Sequence, residues 1–265
     1  MNSLHTHSSW SDGENTIREM ALAARSEGLS DFGISDHLVL LPPDVIDDEP
    51  WWIEPSRLGE YFAEASEVKA ELSDETFTVH VGIEADFFPE TVDRLREMIA
   101  LYDFDYVIGA VHYAGSFSVD HSAEDWKGLT PDECADVWRK YIEKLHGLCE
   151  SHCFDWVAHL DLPKKYGYPM PKELRPRMEE VLHHVAETEI AIELNTAGLD
   201  KTCREAYPSR WMLELAAEQA IPVALTSDAH ANVQVARHFR EGAAMLAQCG
   251  VRPAEVSRLF HHRWA

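Results

Sequence analysis

The chain has 265 residues, 45% of them apolar and 26% charged, a mix that suits one sizeable globular domain with an ample core. Its 23 basic and 47 acidic residues leave a formal charge of −24, which disfavours nucleic acid and anionic lipid and repels small anions unless something local reverses the field. No apolar run reaches the roughly 20 residues that span a bilayer, and Met1-Asn2-Ser3-Leu4-His5 lacks the basic and apolar regions of a secretory signal, so a cytoplasmic location is expected.

Short β-rich runs alternate with helical patterns along the chain. Ser3 to His7 reads as the first strand, followed by a helix over about 14–26 with Ile17, Met20, Ala21 and Ala24 on one face and Gly28 as its cap. Asp31 to Ser35 is the second strand. Residues 38–55, with four prolines and the pair Trp51-Trp52, are irregular, and a helix over 56–72 follows. Phe77 to Ile83 is the third strand, 91–101 a helix, and Tyr106 to Val111 the fourth strand. A polar loop over 113–128 precedes a long helix over 131–151. Asp155 to Ala158, Ile190 to Leu194 and Pro222 to Leu225 complete the strands, with helices over 172–188 and 209–219 between them and two more at the C-terminus. Seven strands alternating with helices predict a parallel sheet. A single closed or nearly closed β/α barrel over 1–265 is the simplest architecture, and a doubly wound open sheet is the alternative.

Five cysteines, at 134, 149, 153, 203 and 249, form no Cys-x-x-Cys pair and read as reduced thiols. Histidine is the unusual count, at fifteen. His5 and His7 close the first strand one residue apart, so both imidazoles face the same side. Asp12 follows in the next loop. His37 lies just past the second strand, Glu84 ends the third, His112 the fourth and His159 the fifth. Asp228 and His230 follow the seventh. The C-terminal ends of barrel strands open on one crevice. A lone histidine beside an apolar run is ordinarily a packed residue, but nine ligand-type residues at matching strand ends call for a metal cluster. Imidazole and carboxylate suit zinc, manganese and iron. Nine ligands imply two or three divalent ions, with Glu84 or another carboxylate bridging. Such a cluster would leave a cationic pocket inside an acidic protein. The other nine histidines read as surface or packed residues, except that His121 lies in the loop after His112, within reach of substrate; His80 is placed lower in the barrel.

His5-Thr6-His7 with Ser11-Asp12-Gly13, Ser35-Asp36-His37, Gly82-Ile83-Glu84, Val111-His112, His159 and Ser227-Asp228-Ala229-His230 resemble the PHP (polymerase and histidinol phosphatase) superfamily in order and spacing along nearly the whole chain. Gly109 to Tyr113, His159 to Leu162, Glu193 to Leu199 and Tyr207-Pro208-Ser209 look like its histidinol-phosphatase branch. The resemblance implies an α/β fold, a single distorted (β/α)7 barrel, with a trinuclear metal centre at the C-terminal ends of the strands. It implies hydrolysis of L-histidinol phosphate to L-histidinol and phosphate in histidine biosynthesis. The chain departs from the family after Leu199, where an Arg-Lys-Pro-like stretch is replaced by Asp200-Lys201-Thr202-Cys203-Arg204.

The expected mechanism is in-line attack by a metal-bridging hydroxide, with Glu84 and Asp228 serving catalysis as well as ligation. Asp161 and His121 are candidates for the acid that protonates the leaving group. Lys164, Lys165, Lys201 and Arg204 are candidates for phosphate contacts, and Tyr207 for substrate binding. Trp51 and Trp52, with Asp44, Asp47, Asp48 and Glu49 beside them, suit a cationic amine. Rival readings are a phosphoesterase acting on another small ester or nucleotide, a hydrolase of carbon–nitrogen or ester bonds, and a non-catalytic metal-binding module.

Overall fold

The computed structural model describes residues 1–47 and 50–261. The elements run β1 (Asn2–Ser3), α1 (Ile17–Ser26), β2 (Asp31–Ile34), β3 (His37–Leu38), α2 (Leu58–Leu72), β4 (Thr78–Asp86), α3 (Val92–Ile99) and β5 (Tyr106–Ala110). They continue with β6 (Tyr113–Ala114), β7 (Phe117–Ser118), α4 (Ala123–Lys127), α5 (Pro131–Glu150) and β8 (Trp156–Val157). The last are α6 (Arg175–Glu187), β9 (Ala191–Asn195), α7 (Arg210–Glu218), β10 (Val223–Thr226) and α8 (Phe239–Gln248).

The helices start where their caps dictate. Thr16 and Glu19 form a capping box, so α1 begins at Ile17, three residues later than its apolar pattern predicts. Thr130 and Glu133 do the same for α5, with Pro131 in the first turn where its missing N–H costs nothing. Each buries one apolar face on the sheet: Ile17, Met20, Ala21 and Ala24 from α1, and Trp138, Tyr141, Ile142 and Leu145 among others from α5.

The sheet runs β1-β2-β4-β5-β8-β9-β10, all parallel, with β3 also paired to β4. β2 and β3 both lie along β4 and make one stave interrupted at Ser35-Asp36, so the wall has seven staves. The gap between first and last closes through a parallel bridge at Thr6 and Ala229, where His7 N–H donates to Ala229 O at 2.8 Å. The result is a nearly closed (β/α)7 barrel, not an open doubly wound sheet.

Tyr106 and Trp156 fill the barrel interior with Leu4 and Ile108, and the C-terminal segment plugs the base through Leu259 and Phe260. Phe260 stacks on Tyr106 at 5.0 Å and meets the edge of His80, which is bonded to Asp31 at 3.0 Å. His80 is thus at the end opposite the ligand-bearing strand ends. Tyr106 donates to Leu4 O at 2.7 Å, crossing the barrel over Gly33 and Gly82. A methyl at Gly82 would lie 2.3 Å from the tyrosine ring. Gly82→Ala is therefore expected to cost about 1–3 kcal/mol in urea unfolding, and pairing it with Tyr106→Leu should relieve part of that loss.

Two expectations need correction. The segment 113–128 is not a plain loop: it holds the β6–β7 hairpin and the short helix α4 capped by Ser122. Among the described residues the C-terminal part has one α-helix, not two. Gly250, at φ +76°, ends α8, and Pro253 cannot donate to a second. Beyond it Ala254 N–H donates to Val223 O at 2.8 Å, and a single 3₁₀ turn, Val256–Arg258, follows. Among the described residues no helix is long and apolar enough to cross a membrane.

Candidate active site

β4 is longer than its sequence pattern suggests and carries Glu84 and Asp86 inside it, two residues apart and so on one side. Glu84 is 1% exposed and lies level with His37 on the neighbouring strand. Its two oxygens face different histidines. Oε2 lies 3.1 Å from His5 Nε2, 3.5 Å from His7 Nε2 and 2.8 Å from His37 Nδ1. Oε1 lies 3.0 Å from His159 Nε2 and 3.9 Å from His112 Nε2.

Asp228 reaches His7 at 3.1 Å and His5 at 3.7 Å. Asp12 reaches His230 at 3.1 Å and His37 at 3.6 Å. His7 stacks between His37 and His230, at 4.1 and 4.3 Å. All nine residues singled out at strand ends therefore share one cluster. Three subsets each converge on a point: His7, Asp12, His37 and His230; His5, His7 and Glu84; and His37, Glu84 and His112.

The donor set fits divalent ions. His5 Nε2, on the side of the ring that faces Glu84, is buried without a hydrogen-bond partner. Such atoms are costly unless something electropositive meets them. Burial, with His37 and His230 alongside, lowers the His7 pKa to about 3, so its ring stays neutral and keeps one nitrogen lone pair for an ion. Burial works to raise Glu84, but His5 and His37 hold it well below the usual carboxylate range. Asp228 is likewise held down against burial by His5 and His7. His5 and His112 go the other way. Burial opposes their charge, but Glu193 and Glu84 raise His5 well above the ordinary imidazole value, and Asp86 raises His112 to about 10. A divalent ion held by these imidazoles would take the place of those protons.

A family model described as PHP domain matches residues 3–197 of this chain. The chain belongs to the PHP domain family. Relatives of this PHP chain agree over most of their length. "Probable histidinol-phosphatase" from Deinococcus radiodurans is 35% identical over 248 residues, 94% of this chain and 91% of its own. "Probable histidinol-phosphatase" from Schizosaccharomyces pombe is 26% identical over 271 residues, 94% of this chain and 87% of its own. The crystal structure of histidinol phosphate phosphatase from Lactococcus lactis subsp. lactis, complexed with zinc, L-histidinol and phosphate, matches with a TM-score of 0.81 at 21% identity. It covers 99% of this chain and 97% of that one, and the likeness shows a common fold.

The PHP cluster opens into a cleft of about 440 Å³. Trp51, His121, Lys165, Lys201 and Tyr207, all expected near substrate, line it. The Trp51 ring stands nearly perpendicular to those of His37 and His112, with centroids 4.6 and 5.1 Å away. His121 is at the rim, bonded to Asp125 at 3.0 Å, which raises its pKa above the ordinary value.

Other residues expected near substrate are placed away from the cleft. Lys164 and Lys165 are successive residues of a 3₁₀ turn, Leu162–Tyr166, and point about 120° apart. Lys165 turns to the cleft; Lys164 turns away and is used up on Asp161, Glu205, Ala206 O and Ser209, each at 2.9 Å. Asp161 goes with it. Its carboxylate accepts from Ser209 N and Oγ at 2.9 and 2.6 Å, outside the cleft lining. Arg204 is exposed and lines no part of the cleft. Trp52 packs on Trp51 and the apolar patch of Val39, Val45, Phe88 and Tyr113 behind it. The acids of that segment are elsewhere too: Asp44 lines a separate cavity, and Asp47 accepts from Tyr113 and Trp51 behind the cleft wall. Asp48 and Glu49 lie outside the described residues.

Several residues of the site went unread in the sequence. Glu193, fully buried, accepts from His5 Nδ1 at 2.8 Å, His159 N at 2.9 Å, Asn195 Nδ2 at 2.9 Å and Thr226 Oγ1 at 3.0 Å. Asp86 binds His112 through both its backbone N–H, at 2.9 Å, and Nδ1, at 3.1 Å. Asp36 accepts from Ser8 N, Ser8 Oγ and Ser11 Oγ, fixing the loop that carries Asp12. Arg237 lines the cleft, and its guanidinium donates to the backbone of Ser227 and Asp228 at 2.9 and 2.7 Å. It holds Asp228 at φ +48°, a conformation that needs such support.

Proposed function

We propose that this chain hydrolyses L-histidinol phosphate to L-histidinol and phosphate, using divalent ions held by His5, His7, Asp12, His37, Glu84, His112, His159, Asp228 and His230. The observation that carries this reading is the carboxylate of Glu84, whose oxygens face His5, His7 and His37 on one side and His112 and His159 on the other. One carboxylate between two imidazole sets suits two or three ions, of zinc, manganese or iron. Bound there, they would supply positive charge for a phosphate dianion and lower the pKa of water.

The chain's own groups do the rest. Lys165, Lys201 and Arg237 give one cleft wall the cations that a phosphate requires. Trp51 and Tyr207 offer ring surfaces to the organic part of the substrate. His121, its pKa raised by Asp125, is the rim group that supplies a proton to the departing alkoxide. The Deinococcus relative's name and the L-histidinol and phosphate of the Lactococcus crystal support the same substrate here. We take 1–265 as one working unit, since its staves share one wall, and assign it to the cytoplasm, as its free thiols support.

The test is phosphate release from histidinol phosphate, p-nitrophenyl phosphate and a short oligonucleotide. We expect kcat/KM for histidinol phosphate to exceed that for p-nitrophenyl phosphate at least about a hundredfold, with no nuclease activity. Equal efficiency on the two esters, or preference for the oligonucleotide, overturns the substrate assignment.

A further inference from the structure

We propose that the ion pair Asp120–Lys165 selects phosphate esters that also carry a cationic amine, Asp120 taking the ammonium while Lys165 turns to the phosphate. The inference rests on the phosphomonoesterase reading above.

Among the described residues, Asp120 is the only carboxylate lining the cleft besides Asp12 and Asp228, which belong to the ion cluster. Of the acids expected to meet an amine, Asp47 is engaged by Tyr113 and Trp51, and Asp44 lines another cavity. Asp120 itself is about a quarter exposed and lies 3.1 Å from Lys165 Nζ. Burial acts to raise its pKa, but Lys165 and His112 outweigh that and keep it ionised.

The backbone around this pair is fixed independently of the carboxylate. Lys165 Nζ also donates to Asp120 O at 2.9 Å, and Tyr166 O–H donates to the same carbonyl at 2.6 Å. Val119 N–H donates to His112 O at 2.9 Å. If the Asp120 carboxylate changes partner, Lys165 therefore keeps an anchor and stays at the cleft wall. Lys201 lines the same cleft, so the two ammonium charges repel. Partial withdrawal from water and the charge of Lys165 together lower the Lys201 pKa. A phosphate relieves that repulsion.

The selectivity follows from charge. An ester without an amine can draw Lys165 to its phosphate only by leaving the largely enclosed Asp120 carboxylate without a cation. Removing one member of an enclosed pair is costly, and unpaired charge is a standard means of rejecting a wrong ligand. A substrate with both phosphate and ammonium replaces one ion pair by two, and no charge is stranded.

The experiment uses two ester pairs: histidinol phosphate against p-nitrophenyl phosphate, and 2-aminoethyl phosphate against ethyl phosphate, which differ only in the amine. Asp120→Asn is expected to cut kcat/KM on both aminated esters about thirtyfold, mainly through KM, and to leave or raise that on the amine-free esters. Metal content should not change, and Asp120→Glu should restore part of the preference. Lys165→Met should weaken all four. An equal loss on aminated and amine-free esters, or no loss on either, overturns the proposal. Because the second pair reads the amine alone, failure of histidinol phosphate as substrate is seen separately, in the wild-type protein.

Discussion

Glu84→Gln is expected to lower kcat by about a hundredfold or more and to release at least one ion per chain. A carboxylate presents two anionic oxygens; the amide keeps one neutral oxygen and replaces the other by a donor. Both oxygens of Glu84 face imidazole nitrogens within 3.9 Å, so whichever side receives the NH₂ group loses its ligand. The removed charge also leaves the ions less well neutralised. The fold should survive, because the barrel interior is built from Tyr106, Trp156 and their neighbours below the cluster. Glu90→Gln, at an exposed position six residues on, is the control and should be silent. Metal content, circular dichroism and turnover of both variants decide the matter. Full occupancy and near-normal turnover in Glu84→Gln would show that Glu84 does not bridge.

Glu193→Gln is expected to weaken apparent metal affinity by about 10–100-fold, although Glu193 is not among the nine ligands. Its carboxylate accepts four hydrogen bonds from four different strands or strand ends: His5, His159, Asn195 and Thr226. An amide nitrogen cannot accept, so at least one of these donors loses its partner in a fully buried place. The bond to His5 matters most. A carboxylate at Nδ1 fixes the proton there and leaves the Nε2 lone pair for an ion beside Glu84. Without it the ring can turn or change tautomer. Added metal should then recover most of the turnover in Glu193→Gln. A purely structural role predicts lowered thermal stability that excess metal leaves uncorrected in turnover.

The ligand-type residues were legible because they are tied to strand ends, and a strand end can be read from local pattern. His5 and His7 announce a shared side by their spacing, as do Asp228 and His230. Supporting contacts such as Glu193 with His5 join residues 188 apart in sequence, and only the closing of the barrel brings them together. Asp86 was hidden by a short estimate of β4: with the strand ended at Ile83, its inward side could not be extended past Glu84. Arg237 lies in the irregular stretch before α8 and gives no periodic signal; its role comes from the two carbonyls it reaches.

The misread residues share a cause as well. Lys164 and Lys165 are adjacent, and composition alone cannot say which one a 3₁₀ turn rotates inward. Asp161 lies two residues past His159, and that is enough in a turn to face it toward Ser209. Residues 44–49 hold four acids in sequence, but Tyr113, from a hairpin that the polar pattern concealed, draws Asp47 behind the Trp51 wall. Side-chain direction in irregular segments depends on distant partners, and there the sequence carries least.

Titration of chelator-stripped protein with zinc or manganese, followed by phosphate release from histidinol phosphate, tests the account most directly. Stripped protein should be inactive. Turnover should stay low through the first equivalent and reach its plateau only between about two and three equivalents per chain, since Glu84 serves two sets of imidazoles. Full turnover without metal, or a plateau at one equivalent, would contradict it.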